Sequence, residues 1–192
     1  MTIEQELNMS YKDYVNHLLS KYGAAQYDYF ANENCKSKNP KLSRVKEGLY
    51  VHHIDENRAI LLSTPDIARL YPFEYQKADR LVYCNAMEHL LLHIKISQET
   101  KPGQDRLTFG IGGAEMIWLQ INGWFERGYV GGWKKDAFAV IKDRYDDYII
   151  IMKHLRHFVE SDERLSQIFK KPALALNWQG YLMQKVHDDI YN

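Results

Sequence analysis

The segment that most constrains this chain is residues 84–97, CNAMEHLLLHIKIS, an apolar run of helical periodicity with His89 and His93 four apart. Residues i and i+4 share a helix face, so the two imidazoles point at one spot. Upstream, the short β-prone run Leu49-Tyr50-Val51 leads into the adjacent pair His52 and His53. Neighbouring strand residues face opposite ways, so one of that pair can join the helix's histidines while the other projects elsewhere. Two or three imidazoles can hold a divalent ion, and a free imidazole can deprotonate water. The constellation therefore suits a hydrolytic metal site.

Around this pattern the remaining elements can be read in turn. Ser10 is an N-cap for a helix carrying Tyr14, His17, Leu18 and Tyr22, and Gly23 stops it. Residues 31–47, polar and basic with Pro40, read as a loop. The runs 49–51 and 59–62, separated by Asp55-Glu56-Asn57-Arg58, predict a β-hairpin. In that reading Asp55 and Glu56 are turn residues, with a metal or orienting role as the second option. Thr64-Pro65-Asp66 starts a short helix to about residue 70, and Arg80-Leu81-Val82-Tyr83 is strand-like. Glycine and proline make 98–113 a loop. Residues 114–192 read as mostly helix, with Ile149, Met152, Leu155 and Val159 at helical spacing.

The chain of 192 residues suffices for one good-sized domain, or a small one with a helical extension. We divide it into an N-terminal helix and basic loop (1–48), the histidine-bearing element (49–97) and a helical region (98–192). Lys plus Arg equals Asp plus Glu at 25 each. Any basic face for a phosphate backbone must therefore be offset by acidic residues elsewhere. The basic cluster Lys36, Lys38, Lys41, Arg44 and Lys46 is the candidate nucleic-acid contact, or else a solvated loop. Cys35 and Cys84 suggest no disulfide framework, and no apolar run is long enough to span a bilayer, which points to the cytoplasm. Gly110-Ile111-Gly112-Gly113 lacks the strand–helix context of a phosphate-cradling loop. His154 and His157 read as ordinary surface histidines, and Trp118, Trp124, Trp133 and Trp178 as core or interface residues.

The stretches Val51-His52-His53-Ile54-Asp55 and 80–93, RLVYCNAMEHLLLH, resemble the HNH (ββα-metal, His-Me finger) endonucleases of phage, mobile elements and nuclease colicins. The resemblance covers about residues 49–97 and leaves the C-terminal half unexplained. It implies an α+β fold, a hairpin-plus-helix ββα-metal element embedded in a mainly helical protein. It further implies a divalent metal ion (Mg, Mn, Ni or Zn) on His52 and His89, with His93 as a third ligand or a structural partner and His53 as the general base. The substrate would be DNA in preference to RNA. The family's middle asparagine falls nine residues before the first helix histidine, where this chain has Arg80. An arginine cannot copy the asparagine's orienting role but could clamp a phosphate oxygen. Asp79 is an alternative oxygen ligand, and Glu88 more often faces solvent. Two other readings stay open: a degenerate binder that keeps the fold without turnover and engages a protein through its C-terminal helices, and a toxin neutralised by an immunity protein.

Overall fold

A computed structural model describes residues 1–101, 103–128, 130–169 and 184–191. Trp178 lies outside the described residues. The fold is of the α+β class: mostly helical, with one two-stranded antiparallel sheet.

Two helices open the chain, α1 (Ile3–Leu7) and α2 (Tyr11–Tyr22). Helix α1 is too short to show a helical repeat in the sequence. It is five residues long, and Thr2 and Gln5 close a capping box at its start. Helix α2 follows the expected signals: Ser10 Oγ accepts from the Asp13 amide at 3.1 Å, and Gly23 ends the helix with φ of 79°. Its buried stripe is Tyr11, Tyr14, Val15 and Leu18.

Strand β1 (Tyr50–His53) pairs with β2 (Leu81–Cys84), Tyr50 opposite Cys84 and His53 opposite Leu81. This corrects the expected hairpin. Residues 59–62 form no strand, because the chain turns directly after His53 into a 3₁₀ turn (Ile54–Asn57). The Arg58 and Ala59 amides both donate to Asp55 O in that turn. The long-range pairing is stapled by charge: Arg80, just before β2, grips the buried Asp55 carboxylate through Nε at 2.6 Å and through Nη2. Residues of β2 alternate between two apolar clusters. Val82 and Cys84 enter the main core, while Leu81 and Tyr83 enter a smaller one with Tyr29, Phe30, Leu42 and Leu49. Both cysteines are buried and free. The short helix α3 (Pro65–Ala68) lies between the strands in sequence.

Helix α4 (Ala86–Gln98) follows β2 directly and forms the middle of the main core. Asn85 caps it, accepting from the Met87 and Glu88 amides at 2.9 and 3.0 Å, and Glu88 accepts from the Asn85 amide at 2.8 Å. Glu88 is therefore buried rather than solvent-facing; its carboxylate also takes the Lys21 ammonium at 2.6 Å and the Tyr22 hydroxyl. A helix apolar nearly all round must be surrounded. Helices α5 (Gly112–Arg127) and α7 (Tyr145–Ser161) surround it from the C-terminal half, with Trp118, Ile121, Tyr148, Ile151 and Leu155 buried against it. The core runs without a break across residue 98.

Residues 135–169, within the region read as mostly helix, form three helices: α6 (Lys135–Ile141), α7 and α8 (Glu163–Phe169). The second break falls at Asp162, whose carboxylate binds Arg106 at 2.6 Å. A final helix, α9 (Gln184–Tyr191), adds Val186 and Ile190 to the core. The expected loop 98–113 ends in a tight turn (Leu107–Ile111) that runs straight into α5. Among the described residues no helix is long and apolar enough to cross a membrane.

Candidate metal centre

The end of β1 and the first two turns of α4 bring three imidazoles together. One nitrogen each from His52, His89 and His93 can lie within 4.8 Å of the others. The ring centroids are 4.9–5.3 Å apart. His52 is buried, while His89 and His93 line a cavity of about 620 Å³.

Hydrogen bonding fixes which atom of His52 is free. The Tyr11 hydroxyl donates to Ile54 O at 2.9 Å, so its oxygen accepts from His52 Nε2–H at 3.0 Å. The Nδ1 lone pair is then unprotonated, buried and without a hydrogen-bond partner. An orphaned buried acceptor is costly unless something else satisfies it. A divalent cation would do so, and the ring is already held by Tyr11 as outer partners hold metal-bound histidines.

The protonation states agree. Burial, then the fields of the other histidines, push His52 and His89 well below the ordinary imidazole range, and burial pushes His93 down to about 4. Neutral imidazole is the form that binds a metal. A donor set of three imidazoles suits zinc, nickel, copper or iron(II) better than calcium or magnesium.

Glu56 completes the cluster. It lies on the 3₁₀ turn after β1 and lines the cavity. Its Oε2 is 3.6 Å from His52 Nδ1 and 3.4 Å from His93 Nε2, and its Oε1 is 3.9 Å from His53 Nδ1. Burial raises this carboxyl to about 8, so cation-free contacts here are between neutral groups. Glu56 is expected from the sequence as a hairpin-turn residue, and the absent hairpin removes that role. Its spacing from His53 and His52, i+3 and i+4, is the sequence signal of a helical turn at this point.

His53 faces the other side of the sheet, as strand alternation requires. Its ring lies 4.3 Å from that of Tyr29, and its Nε2 is 2.8 Å from Gln76 Oε1. Because the Gln76 amide donates to Leu62 O, Oε1 must accept and His53 Nε2 must carry the proton. The basic atom is therefore Nδ1, on the side of Glu56. Burial lowers this histidine to about 4, with the Gln76 bond opposing. Neither His53 nor Arg80 is among the cavity-lining residues; Arg80 is committed to Asp55.

The basic residues separate. Lys38 lines the cavity with its ammonium 5.1 Å from the Tyr29 ring. Arg44 is held by Glu47 and by Tyr22 O at 2.7 Å. Lys36, Lys41 and Lys46 are exposed. His154 takes a hydrogen bond from the Gln98 amide at 2.8 Å, and His157 is exposed.

Two glycines allow α5 to approach α4 beside the centre. A Cβ on Gly110, whose φ is 108°, would lie 2.5 Å from both His93 O and Ser97 N. A Cβ on Gly113 would lie 2.4 Å from the His93 ring. The glycine run is thus a packing surface that backs a histidine.

Compared with models of protein families, with curated proteins and with solved structures, the chain matches none.

Proposed function

We propose that the protein is a divalent-metal-dependent phosphodiesterase acting on nucleic acid, an endonuclease of the HNH kind. The observation that carries this reading is the convergence of His52, His89 and His93, with the His52 Nδ1 lone pair left free by Tyr11. The strand–strand–helix order of β1, β2 and α4, with the ligands on β1 and α4, is consistent with the resemblance to the ββα-metal element.

In this reading His52, His89 and His93 hold the ion, which supplies Lewis-acid stabilisation of charge on phosphate oxygens and of the leaving oxygen. Glu56 lines the cavity beside them, where it can accept a proton or orient water. His53 takes up a proton only at Nδ1, the atom that faces Glu56. It thus serves the centre through the Glu56 side rather than by direct contact with the cavity. Lys38 supplies a cation to a phosphate in the cavity. Arg80 holds Asp55, and with it the geometry of the turn carrying Glu56.

The test is cleavage of plasmid and of a single-stranded oligonucleotide by chelator-stripped protein, after addition of magnesium, manganese, nickel or zinc. Wild type is compared with His89→Ala, His53→Ala and Glu56→Gln. Metal-dependent cleavage lost in His89→Ala supports the proposal.

A second reading, a metal-holding binder without turnover, is favoured by one observation: His53 lies behind Gln76 and Tyr29 and away from the cavity wall. Its signature is metal binding lost in His89→Ala, with no cleavage by the wild type.

A further inference from the structure

Beside the cavity at the histidines lies a second one of about 290 Å³, and the two share Tyr29, Lys38, Tyr50 and Val51 as walls. At its outer end is Trp133, 57% exposed on a turn before α6. The Trp133 ring lies 6.4 Å from Tyr50, and the Tyr50 ring 5.8 Å from His89. Gln120 holds Tyr50 by a hydrogen bond to its hydroxyl at 3.1 Å. A run of aromatic rings therefore leads from solvent to the histidine cluster. Cations flank it: Lys38 stands in the shared wall, Arg44 lines the second cavity, and the Lys134 ammonium is 5.5 Å from the Trp133 ring. Among the described residues Glu56 is the one carboxylate lining either cavity.

We propose that this path binds an unpaired nucleic-acid strand, one base stacking on the exposed Trp133 ring, against which Tyr50 stands edge-on, and its phosphates meeting Lys38 and Arg44 on the way to the histidines. A duplex offers side chains only the edges of its bases, whereas an unpaired strand offers ring faces, which stack on aromatic side chains whatever the sequence. Arg44 remains available to a phosphate from its guanidinium edge only by sharing its bonds with Glu47, so Lys38 is the principal phosphate contact. The inference rests on the phosphodiesterase reading of the same centre.

Binding separates the two. Fluorescence anisotropy with labelled oligothymidine, and with a duplex of equal length, is measured in chelator, where no cleavage occurs. The expected result is tighter binding of the single strand, weakened roughly 5- to 150-fold in Trp133→Ala, the loss of one stacked base. Trp133→Phe restores most of it, and Leu70→Ala, at 76% exposed still more open to solvent but outside both cavities, leaves it unchanged. Lys38→Ala lowers the salt dependence by about 0.7 in logarithmic slope. Equal or tighter binding of duplex, or unchanged binding in Trp133→Ala, overturns the proposal even if the protein cleaves DNA. Single-strand binding lost in Trp133→Ala, without cleavage under any metal, upholds the path and removes the nuclease.

Discussion

Gly113→Ala tests the histidine cluster without touching a ligand. The added methyl would stand 2.4 Å from His93 Cε1 and Nδ1 and 3.0 Å from Cγ. Carbon atoms rest at about 3.5–4 Å, so the ring must recede by about 1 Å. It cannot recede freely, because His89 and His52 lie on its other sides at centroid distances of 4.9 and 5.1 Å. Disturbing the support of a metal ligand costs about 10- to 100-fold in affinity, or about 1.4–2.8 kcal/mol. The effect on folding is smaller, since the methyl adds helix propensity of about 1 kcal/mol while overpacking costs about 1–3. Gly123→Ala on the same helix is the control: its methyl would meet only the Arg127 Nη2 tip at 4.0 Å. It should gain about 0.5–1 kcal/mol of stability and leave metal affinity unchanged. Titration of stripped protein with zinc or nickel against a competing chromophoric chelator reads the affinities, with far-ultraviolet circular dichroism as the folding check. Equal metal affinity in Gly113→Ala and wild type would refute the reasoning, because His93 could then not be a ligand in the position described.

Three further outcomes are expected. Saturating the stripped protein with metal at 100 times Kd should add about 2.7 kcal/mol, a rise of about 5–11 °C in Tm that His89→Ala abolishes; no shift in the wild type would exclude a specific site. The metal-free protein should be most stable near pH 6.5. His53 and His93, held at about 4 against an ordinary 6.5, contribute stability present above 6.5 and lost as pH falls from 6.5 to 4, while Glu56, held at about 8 against 4.5, contributes stability present below 4.5 and lost as pH rises to 8. Thermal melts from pH 6.5 to 8 should therefore decline in wild type and flatten in Glu56→Gln, and a decline of equal size in both would contradict this account of Glu56. Arg80→Ala leaves the buried Asp55 carboxylate with Arg58 at 3.7 Å as its remaining partner, and should cost about 3 kcal/mol in urea melts. Unchanged stability would free Arg80 for a role at phosphate.

The cluster itself was legible in the sequence because each half is local. His89 and His93 share a helix face at i+4, and strand alternation sends only one of His52 and His53 toward them. The capping signal of α2 was local too, at Ser10. What was not legible depended on distant partners. The strand opposite β1 lies about thirty residues on, and it is chosen by the Arg80–Asp55 pair and by the burial of Leu81 and Tyr83 beneath Leu42 and Leu49. A hairpin drawn from adjacent apolar runs misses that pairing. It also misses Glu56, which a 3₁₀ turn rotates back toward the histidines. Nothing in composition marks Gly113 as the residue that backs His93, because its neighbour comes from another helix.

The most direct test of the central claim is nicking of plasmid and of a single-stranded oligonucleotide by stripped protein with each of manganese, nickel, zinc and magnesium, run beside His89→Ala. The account predicts nicking that requires added metal and disappears in His89→Ala while that variant stays folded. A folded wild type that binds metal yet nicks nothing, or nicking that survives His89→Ala, would contradict it.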